Sequence, residues 1–500
     1  METITLNAPL TWQEVAAIAE ARAPLALGPV ARERLDAAQA VVQALSDKNI
    51  RAYGINTGVG ALSDMTIGKD LQGTLSKNIL MSHAVGIGTP LGVAETRAIM
   101  VAAINNFALG YSGIRLSTVE RIVTLLNAGC TPEVPHQGSV GYISHMAQIG
   151  AMLIGYGHAV LGGERMRVKD ALSRLGLEPL VLQAKEGLCL VNGTPCVTGL
   201  ACLALSRSER LIEWADAISA MTFETQRCQT NAFASPALAL RTSPGLNTVA
   251  AKLGWYLQGS DILTAAAGRK TQDALSLRGI PHVHGAVRDA FADVAKTVSL
   301  ELESVTDNPA VAGTPDAPEV FSQAHAIGAS IGLAMDHLGT AMAELGAISE
   351  RRLDRMINPL VSGLPAFLAA GSGVESGFMI PQYAAVSLVG ENRRLAAPAS
   401  LDGGITSALQ EDILVHSTPA ALKALDIIGN VRNLLAIEYL AAAQSYDLLE
   451  KDIASAPRTQ KLYRSIRAGV SMYRDDRPFG EDIATASAML AAGDPLVIAA

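Results

Sequence analysis

The sequence predicts a mainly α-helical protein, in which a long-helix bundle follows a loop-rich N-terminal region. Hydrophobic residues make up 49% of the 500 residues, whereas aromatic residues make up only 4%. This composition is typical of closely packed helices and not of β-sandwiches. Beyond residue 200, apolar residues also recur every three or four positions, which is the spacing of one face of an α-helix.

Two apolar stripes define the longest predicted helices. One stripe comprises Ile331, Met335, Leu338, Met342, Leu345 and Ile348, and the other comprises Leu425, Ile428, Val431, Leu435, Tyr439 and Ala442. Stripes of this length need facing helices, either from the same chain or from other subunits. Strand signals are sparse, so we expect β-structure only in small hairpins.

The first 200 residues differ in pattern from the rest of the chain. They mix short helical patterns with glycine-rich loops at residues 53–64, 82–92 and 135–141. We therefore predict an N-terminal region over residues 1–200 and a helix-bundle domain over residues 201–500. A chain of this length usually exceeds what one hydrophobic core serves.

Composition also argues against several classes of partner. The formal net charge of -8 gives no basic surface for nucleic acid. The five cysteines include no CxxC pair, so we expect buried reduced thiols and no metal site. The N-terminus has no signal-peptide pattern, and the most apolar run, residues 187–205, is interrupted by polar residues. We therefore predict a cytoplasmic protein with no membrane partner.

Six segments occur in a characteristic order along the chain. They are YGINTGVG at 53–60, KNILMSHAVG at 77–86, PHQGSVG at 135–141, KEGLCLVNGT at 185–194, TQDALSLR at 271–278 and LQEDI at 409–413. Together they resemble segments of histidine ammonia-lyases, in the aromatic amino acid ammonia-lyase superfamily. The resemblance implies a small amino acid or betaine substrate and a homotetramer whose active sites are shared among subunits.

The tripeptide after Gly141 departs from the family pattern. In the family, an Ala-Ser-Gly tripeptide at this place cyclises into an electrophilic methylidene-imidazolone (MIO). Here the positions hold Tyr142, Ile143 and Ser144. Ile143 has no hydroxyl to lose as water, and a shifted register would put the β-branched Val140 where glycine is needed. We therefore expect no MIO and no other cofactor.

Other departures lie where the family supports its electrophile. His145 replaces an aspartate, Leu275 replaces a tyrosine, and the segment SQAHAIG at 322–328, which contains His325, replaces Asn-Phe-His-Gly. The positions that match the base and the substrate-binding residues are retained. This pattern favours altered chemistry over random loss of function.

The resemblance implies roles for five retained residues. Tyr53 matches the catalytic base that removes the substrate's β-proton, and Glu411 matches a catalytic-site glutamate that lines the amino-group pocket. His83 matches the residue that meets the substrate imidazole, and Asn192 matches an asparagine near the amino acid head. Arg278 matches the arginine that binds the carboxylate. Four of them also have a structural alternative, namely a packing tyrosine at 53, a satisfied histidine at 83, an ion pair at 278 and a helix N-terminal charge at 411.

A quaternary ammonium substrate would not need the electrophile. Its nitrogen has no lone pair, already carries a positive charge and departs as a neutral tertiary amine. Tyr142 could bind this group through its ring face, a cation–π contact worth up to about 2 kcal/mol when desolvated. Because a phenol has a pKa of about 10, Tyr53 would need activation by positive charge or hydrogen bonds.

The sequence therefore favours an MIO-independent carbon–nitrogen lyase that eliminates trimethylamine from a histidine betaine such as ergothioneine or hercynine. In this respect the chain resembles ergothionases, which are MIO-lacking members of the superfamily. One alternative is a conventional histidine ammonia-lyase that gives urocanate and ammonia. Another is a non-catalytic relative that keeps the helical scaffold as an assembly partner.

Overall fold

The computed structural model describes residues 2–371, 373–401, 403–450 and 452–500. It is mainly α-helical, which confirms the predicted fold class. The helices begin with α1 (Trp12–Glu20), α2 (Pro29–Asp47), α3 (Gln72–His83), α4 (Val93–Ala108), α5 (Leu116–Asn127), α6 (Ser144–Leu153), α7 (Val168–Arg174), α8 (Glu186–Cys189) and α9 (Pro195–Thr225). They continue with α10 (Ser235–Leu238), α11 (Pro244–Leu257), α12 (Asp261–Ala266), α13 (Leu275–Arg278), α14 (Ile280–Glu303), α15 (Ala329–Ile357), α16 (Pro359–Ser362), α17 (Met379–Leu395), α18 (Ser417–Leu448), α19 (Pro457–Gly469), α20 (Gly480–Ala492) and α21 (Pro495–Ala499).

The β-structure of the described residues forms four small sheets. The strands are β1 (Ile4–Leu6), β2 (Leu25–Leu27), β3 (Ile87–Pro90), β4 (Thr131–Pro132), β5 (Pro135–Gln137), β6 (His158–Leu161), β7 (Glu164–Arg167), β8 (Ala310–Gly313) and β9 (Pro318–Phe321). The pairs β6–β7 and β8–β9 are the small antiparallel hairpins that the sequence predicts. The pair β1–β2 is parallel instead. The chain between these strands contains α1 and forms the crossover connection that a parallel pair requires.

The chain divides into two compact units, each built from separated segments. The first unit comprises residues up to Ser206 together with Ala295–Asp336 and Pro398–Leu422, and the second comprises Arg207–Val294, His337–Ala397 and Lys423–Ala500. The predicted boundary near residue 200 separates two continuous stretches of sequence, whereas each of these units combines separate segments. That boundary stays a prediction.

Both predicted apolar stripes are buried in long helices. In α15 every residue of the stripe is at most 7% exposed. In α18 the stripe is buried from Ile428 onward, and Leu425 is half-buried. Helix α4 is buried on all sides from Thr96 to Ala108, as is typical of a central helix. The three-to-four-residue spacing therefore identified real core faces.

Within the second unit, a buried network holds several charged side chains. Asp216 Oδ1 lies 2.7 Å from Nδ1 of His284, and Arg352 Nη1 lies 3.1 Å from its Nε2. Because a guanidinium can only donate, Nε2 must accept and Nδ1 must carry the proton. Burial lowers the pKa of His284, in agreement with a neutral ring. Glu438 accepts two hydrogen bonds from Arg352, so both charges are paired, as buried ions require.

The cysteines are all buried and unpaired, as expected for reduced thiols. Burial raises the pKa of Cys130 to about 11, so this thiol stays protonated and unreactive at neutral pH. Among the described helices, none has the length and apolar character needed to cross a membrane.

Candidate active site

A cavity of about 880 Å³ opens within the first unit. Five of the predicted site residues line it together, namely Tyr53, His83, Tyr142, Asn192 and Glu411. They come from the loop after α2, the end of α3, the loop before α6, the loop before α9 and the loop before α18. Residues that are far apart in sequence therefore meet around one space of ligand size.

The charged residues of the lining give the cavity an acidic character. Besides Glu411, the lining includes Asp64, Asp412 and Arg51. Arg51 Nη2 lies 2.6 Å from Asp64 Oδ1, and both side chains are exposed. Three carboxylates and one guanidinium therefore line the cavity, and this balance favours a ligand with a positively charged group.

Arg278 is the predicted site residue that does not line this cavity. It belongs to the second unit, where it ends the short helix α13. Its Nε is buried without a hydrogen-bond partner among the described residues. Leu275, at the other end of α13, is 72% exposed.

The turn after α2 positions the Tyr53 phenol. Gly54 has φ +64°, and a Cβ there would lie 2.2 Å from Leu188 Cδ2, so only glycine fits this tight turn. The Tyr53 hydroxyl oxygen accepts a hydrogen bond of 2.8 Å from the Gly60 N–H. Burial raises the pKa of Tyr53, the Gly60 hydrogen bond lowers it, and the Glu411 charge raises it further. A positive charge that entered the cavity would lower the pKa of this phenol.

His83 ends α3 and is half-buried beside the cavity. Its Nδ1 lies 2.9 Å from Ser82 Oγ, so Nε2 is the ring atom that can contact a ligand. Burial lowers the pKa of His83 despite opposing effects of the Ile79 carbonyl and the Glu411 charge. A neutral imidazole can exchange one hydrogen bond with another imidazole, as the predicted role requires.

The altered tripeptide forms a strained γ-turn. Ile143 has φ +79° and ψ -79°, and the Ser144 N–H donates a 3.2 Å hydrogen bond to the Tyr142 carbonyl. The Val191 carbonyl accepts from the Ile143 N–H at 2.9 Å, and the Ala147 N–H donates to the Ile143 carbonyl at 2.9 Å. Such a conformation costs about 1–3 kcal/mol, and the surrounding contacts must hold it.

Flanking residues hold this turn against the rest of the unit. Gly141 has φ +144°, and a Cβ there would lie 2.7 Å from Ser417 Oγ. Thr418 Oγ1 donates a 3.0 Å hydrogen bond to the Gly141 carbonyl. The Ser139 hydroxyl donates to the Tyr142 carbonyl at 3.0 Å and accepts from the Gly141 N–H at 3.2 Å. The glycine-rich frame therefore fixes where the Tyr142 side chain begins.

Tyr142 and Glu411 form a hydrogen-bonded pair in the cavity. The Tyr142 hydroxyl donates to Glu411 Oε2 at 3.2 Å, and Thr406 Oγ1 donates to the same oxygen at 3.2 Å. Burial raises the pKa of Tyr142, and the neighbouring Glu411 charge raises it further, so this phenol stays neutral. The loop before Glu411 turns sharply, because Ser407–Leu409 all have positive φ.

A buried ion pair anchors Asn192. Lys185 Nζ lies 3.0 Å from Asp307 Oδ2, with both side chains at most 1% exposed. Asn192 Nδ2 donates to Asp307 Oδ1 at 3.4 Å and to the Asn308 carbonyl. Burial alone would lower the pKa of Lys185, but its interactions with Asp307 and Cys189 together outweigh burial and raise it. Lys185 and Asp307 therefore position Asn192, and sequence reasoning did not single them out.

Removing the buried ammonium should destabilise the fold. We expect Lys185→Met to lower the free energy of unfolding by about 3–5 kcal/mol, because Asp307 would stay buried without its cation. The control is Arg174→Met, whose pair with Glu164 is exposed and should contribute at most about 1 kcal/mol. Urea unfolding of both variants measures the difference, and equal losses would contradict a buried, paired Lys185.

The two histidines of the altered segments lie outside the cavity lining. His145 is 2% exposed, and its Nε2 lies 3.1 Å from the His136 carbonyl oxygen. Burial lowers its pKa to about 4, so the ring is neutral and structural. His325 is exposed. Gln323, from the same segment at 322–328, lines the cavity, and its Nε2 donates a 2.9 Å hydrogen bond to the Asp307 carbonyl.

The chain is similar to known lyases and aminomutases over nearly all of its length. Residues 10–468 match the family model of aromatic amino acid lyases. A histidine ammonia-lyase of Symbiobacterium thermophilum is 43% identical over 97% of this chain and 95% of its own length. The solved tyrosine aminomutase from Streptomyces globisporus has a TM-score of 0.94 at 31% identity, over 99% of this chain and 98% of its own.

A solved ergothionase from Treponema denticola is also similar in structure. Its TM-score is 0.91 at 26% identity, over 99% of this chain and 100% of its own. By identity, the chain is therefore more similar to histidine ammonia-lyases than to this ergothionase. The match to the family model and the 43% identity both extend over more than nine-tenths of the chain. The chain thus belongs to the aromatic amino acid lyase family and is a carbon–nitrogen lyase.

Proposed function

We propose that this lyase eliminates a tertiary amine from an imidazole-bearing betaine, without an MIO electrophile. The supporting observation is the γ-turn at Tyr142–Ser144. Its middle side chain, Ile143, has no hydroxyl to eliminate, and its third residue, Ser144, carries a side chain where the cyclising nitrogen needs glycine. The residues present therefore do not fit the MIO group. Instead, the turn presents a neutral phenol that is hydrogen-bonded to Glu411.

The proposed reaction is a β-elimination with Tyr53 as the base. Tyr53 takes the β-proton, the electrons of that C–H bond form the new C=C bond, and the amine departs with the electrons of the C–N bond. The Gly60 N–H, 2.8 Å from the phenol oxygen, stabilises the phenolate. The products are a urocanate-type acrylate and a neutral tertiary amine, and the proton on Tyr53 returns to solvent.

The remaining residues are proposed to hold the substrate. His83 would contact the imidazole, Asn192 would lie near the amino acid head, and the Tyr142 ring with Glu411 would bind the cationic nitrogen. Arg278 would bind the substrate carboxylate in a homotetramer whose sites are shared among subunits. A positive charge beside Glu411 would also lower the pKa of Tyr53, so the substrate would activate its own base.

A conventional histidine ammonia-lyase is the second candidate. The names of the relatives favour it, because histidine ammonia-lyases reach 43% identity whereas the ergothionase reaches 26%. It requires an electrophile, since a primary amine is a poor leaving group. We rank it second because the tripeptide has no side chain that can be dehydrated at its centre.

A substrate panel with intact mass measurement tests both candidates. The pure protein is incubated with ergothioneine, hercynine and histidine, and trimethylamine, ammonia and acrylate absorbance are measured. We expect trimethylamine from a betaine and an unmodified protein mass. Ammonia from histidine alone, with a mass lower by two water molecules, would establish the conventional enzyme. No turnover with any substrate would favour the non-catalytic relative.

The exposed face of α17 supports the proposed homotetramer. Ile380, Tyr383 and Val386 are 58%, 69% and 49% exposed, and apolar side chains grouped on one helix face are typical of protein contacts. Light scattering of the purified protein would give the number of subunits directly.

A further inference from the structure

One wall of the cavity is apolar and includes the strained turn. Ile143, Leu188 and Val191 all line the cavity, as does Tyr142. Leu188 and Val191 are buried, whereas Ile143 is only half-buried. Of these three aliphatic residues, Ile143 is thus the most exposed.

The backbone carbonyls of this wall already have donors. The Val191 carbonyl accepts from Ile143, and the Ile143 carbonyl accepts from Ala147. The Tyr142 carbonyl accepts from Ser144 and from the Ser139 hydroxyl. The Leu188 carbonyl accepts from the N–H groups of Val191 and Asn192. Within the described residues, these carbonyls therefore already accept hydrogen bonds, and Glu411, which accepts from the Tyr142 hydroxyl at 3.2 Å, is the carboxylate beside this wall.

This arrangement distinguishes methylated from primary ammonium groups. A primary ammonium has three N–H donors, and each donor that loses water needs an acceptor. A quaternary ammonium has no N–H donor and is stabilised by aromatic faces and a nearby carboxylate. The apolar wall with one carboxylate therefore suits the quaternary group better.

The backbone of Ile143 provides a separate reason to assign a role to its side chain. Its φ of +79° lies in a region that glycine adopts freely and that β-branched residues rarely adopt. Strain of this kind points to a function when surrounding contacts maintain it. Here the backbone conformation directs a bulky apolar group into the cavity lining.

We propose that Ile143 is a specificity-determining residue, which selects an N-methylated ammonium group over a primary one. The proposal rests on the proposed function, because it deepens recognition at the same site. It can be tested without turnover. Tetramethylammonium and methylammonium serve as unreactive probes, and calorimetry measures their binding to the intact protein.

We expect the unsubstituted protein to bind tetramethylammonium at least about tenfold more tightly than methylammonium. Ile143→Gly should lose most of this preference while its melting temperature rises, because glycine relieves the strain. Ile143→Val should keep the preference. The control is Arg22→Gly at an exposed residue with φ +57°, which should gain stability with its preference unchanged.

Equal binding of the two probes by the unsubstituted protein would overturn the proposal. An Ile143→Gly protein that folds and keeps the original preference would do the same. These outcomes are separate from failure of the proposed function. If no substrate yields trimethylamine but the Ile143-dependent preference is present, then the elimination is wrong and the recognition is right.

Discussion

Tyr53→Phe is expected to lower kcat by about 10²–10⁴-fold, the usual contribution of a positioned general base. The substitution removes only the phenol oxygen, which accepts the Gly60 N–H at 2.8 Å beside the cavity. The ring remains, so the turn around Gly54 keeps its packing. Substrate binding should therefore change little, and the loss should appear in kcat and not in the dissociation constant.

A matched tyrosine separates this effect from general destabilisation. Tyr111 belongs to the same unit and is 45% exposed, so Tyr111→Phe should leave kcat unchanged. Tyr53→Phe also leaves the Gly60 N–H without its acceptor, which should cost about 0.5–1.5 kcal/mol of stability. Activity is therefore compared well below the melting temperature of both variants. A normal kcat for Tyr53→Phe would exclude the tyrosine as the base.

The helical architecture could be predicted from sequence because its signal is local. The stripe from Ile331 to Ile348 recurs within a single helix, and burial of that face follows from periodicity alone. The pairing of β1 with β2 could not be predicted in this way. Three-residue strands carry almost no pattern, and their parallel register depends on how the chain that connects them, which contains α1, packs on the rest of the unit.

The candidate site was predicted in part, through motifs and not through geometry. Tyr53, His83, Asn192 and Glu411 were chosen by their place in characteristic segments, and the structure brings them to one cavity. The anchoring of Asn192 by Asp307 could not be predicted, because these residues are 115 positions apart. A long-range contact of this kind leaves no periodic signal in one sequence.

The strain at the altered tripeptide was also outside the reach of sequence reasoning. The sequence shows that Ile143 cannot be dehydrated, but it does not show a γ-turn, which depends on contacts from Val191 and Ala147. Arg278 presents the opposite case. The motif links it to the substrate carboxylate, whereas the cavity of the first unit is lined without it. The role of Arg278 therefore stays a prediction.

Glu411→Gln is expected to have two effects of different kind. The KM for a cationic substrate should rise by about tenfold to a hundredfold, because a charge-assisted contact is worth about 1.5–3 kcal/mol. The substituted side chain would still accept the Tyr142 hydroxyl through its amide oxygen, so the pair with Tyr142 need not be lost. The change therefore tests the charge of Glu411 and not its shape.

The second effect concerns the pH dependence of catalysis by Tyr53. Burial raises the pKa of Tyr53, and the Glu411 charge adds to that rise, because a negative neighbour disfavours the phenolate. Neutralising Glu411 should therefore lower the pKa of Tyr53. Since a base acts in its deprotonated form, the rising limb of kcat/KM should move to lower pH even though KM is worse.

This combination distinguishes a Glu411 that binds the cation from one that only supports the loop. Loss of loop structure would weaken binding but would not move the limb in a defined direction. The matched control is Asp412→Asn, which neutralises the adjacent carboxylate of the lining. Asp412 is exposed, so solvent screens its charge and both effects should be small.

If Glu411→Gln raises KM while the limb stays in place, Glu411 and Tyr53 do not interact in the working enzyme. If the limb moves to higher pH, the Glu411 charge does not raise the pKa of the base that controls the rate.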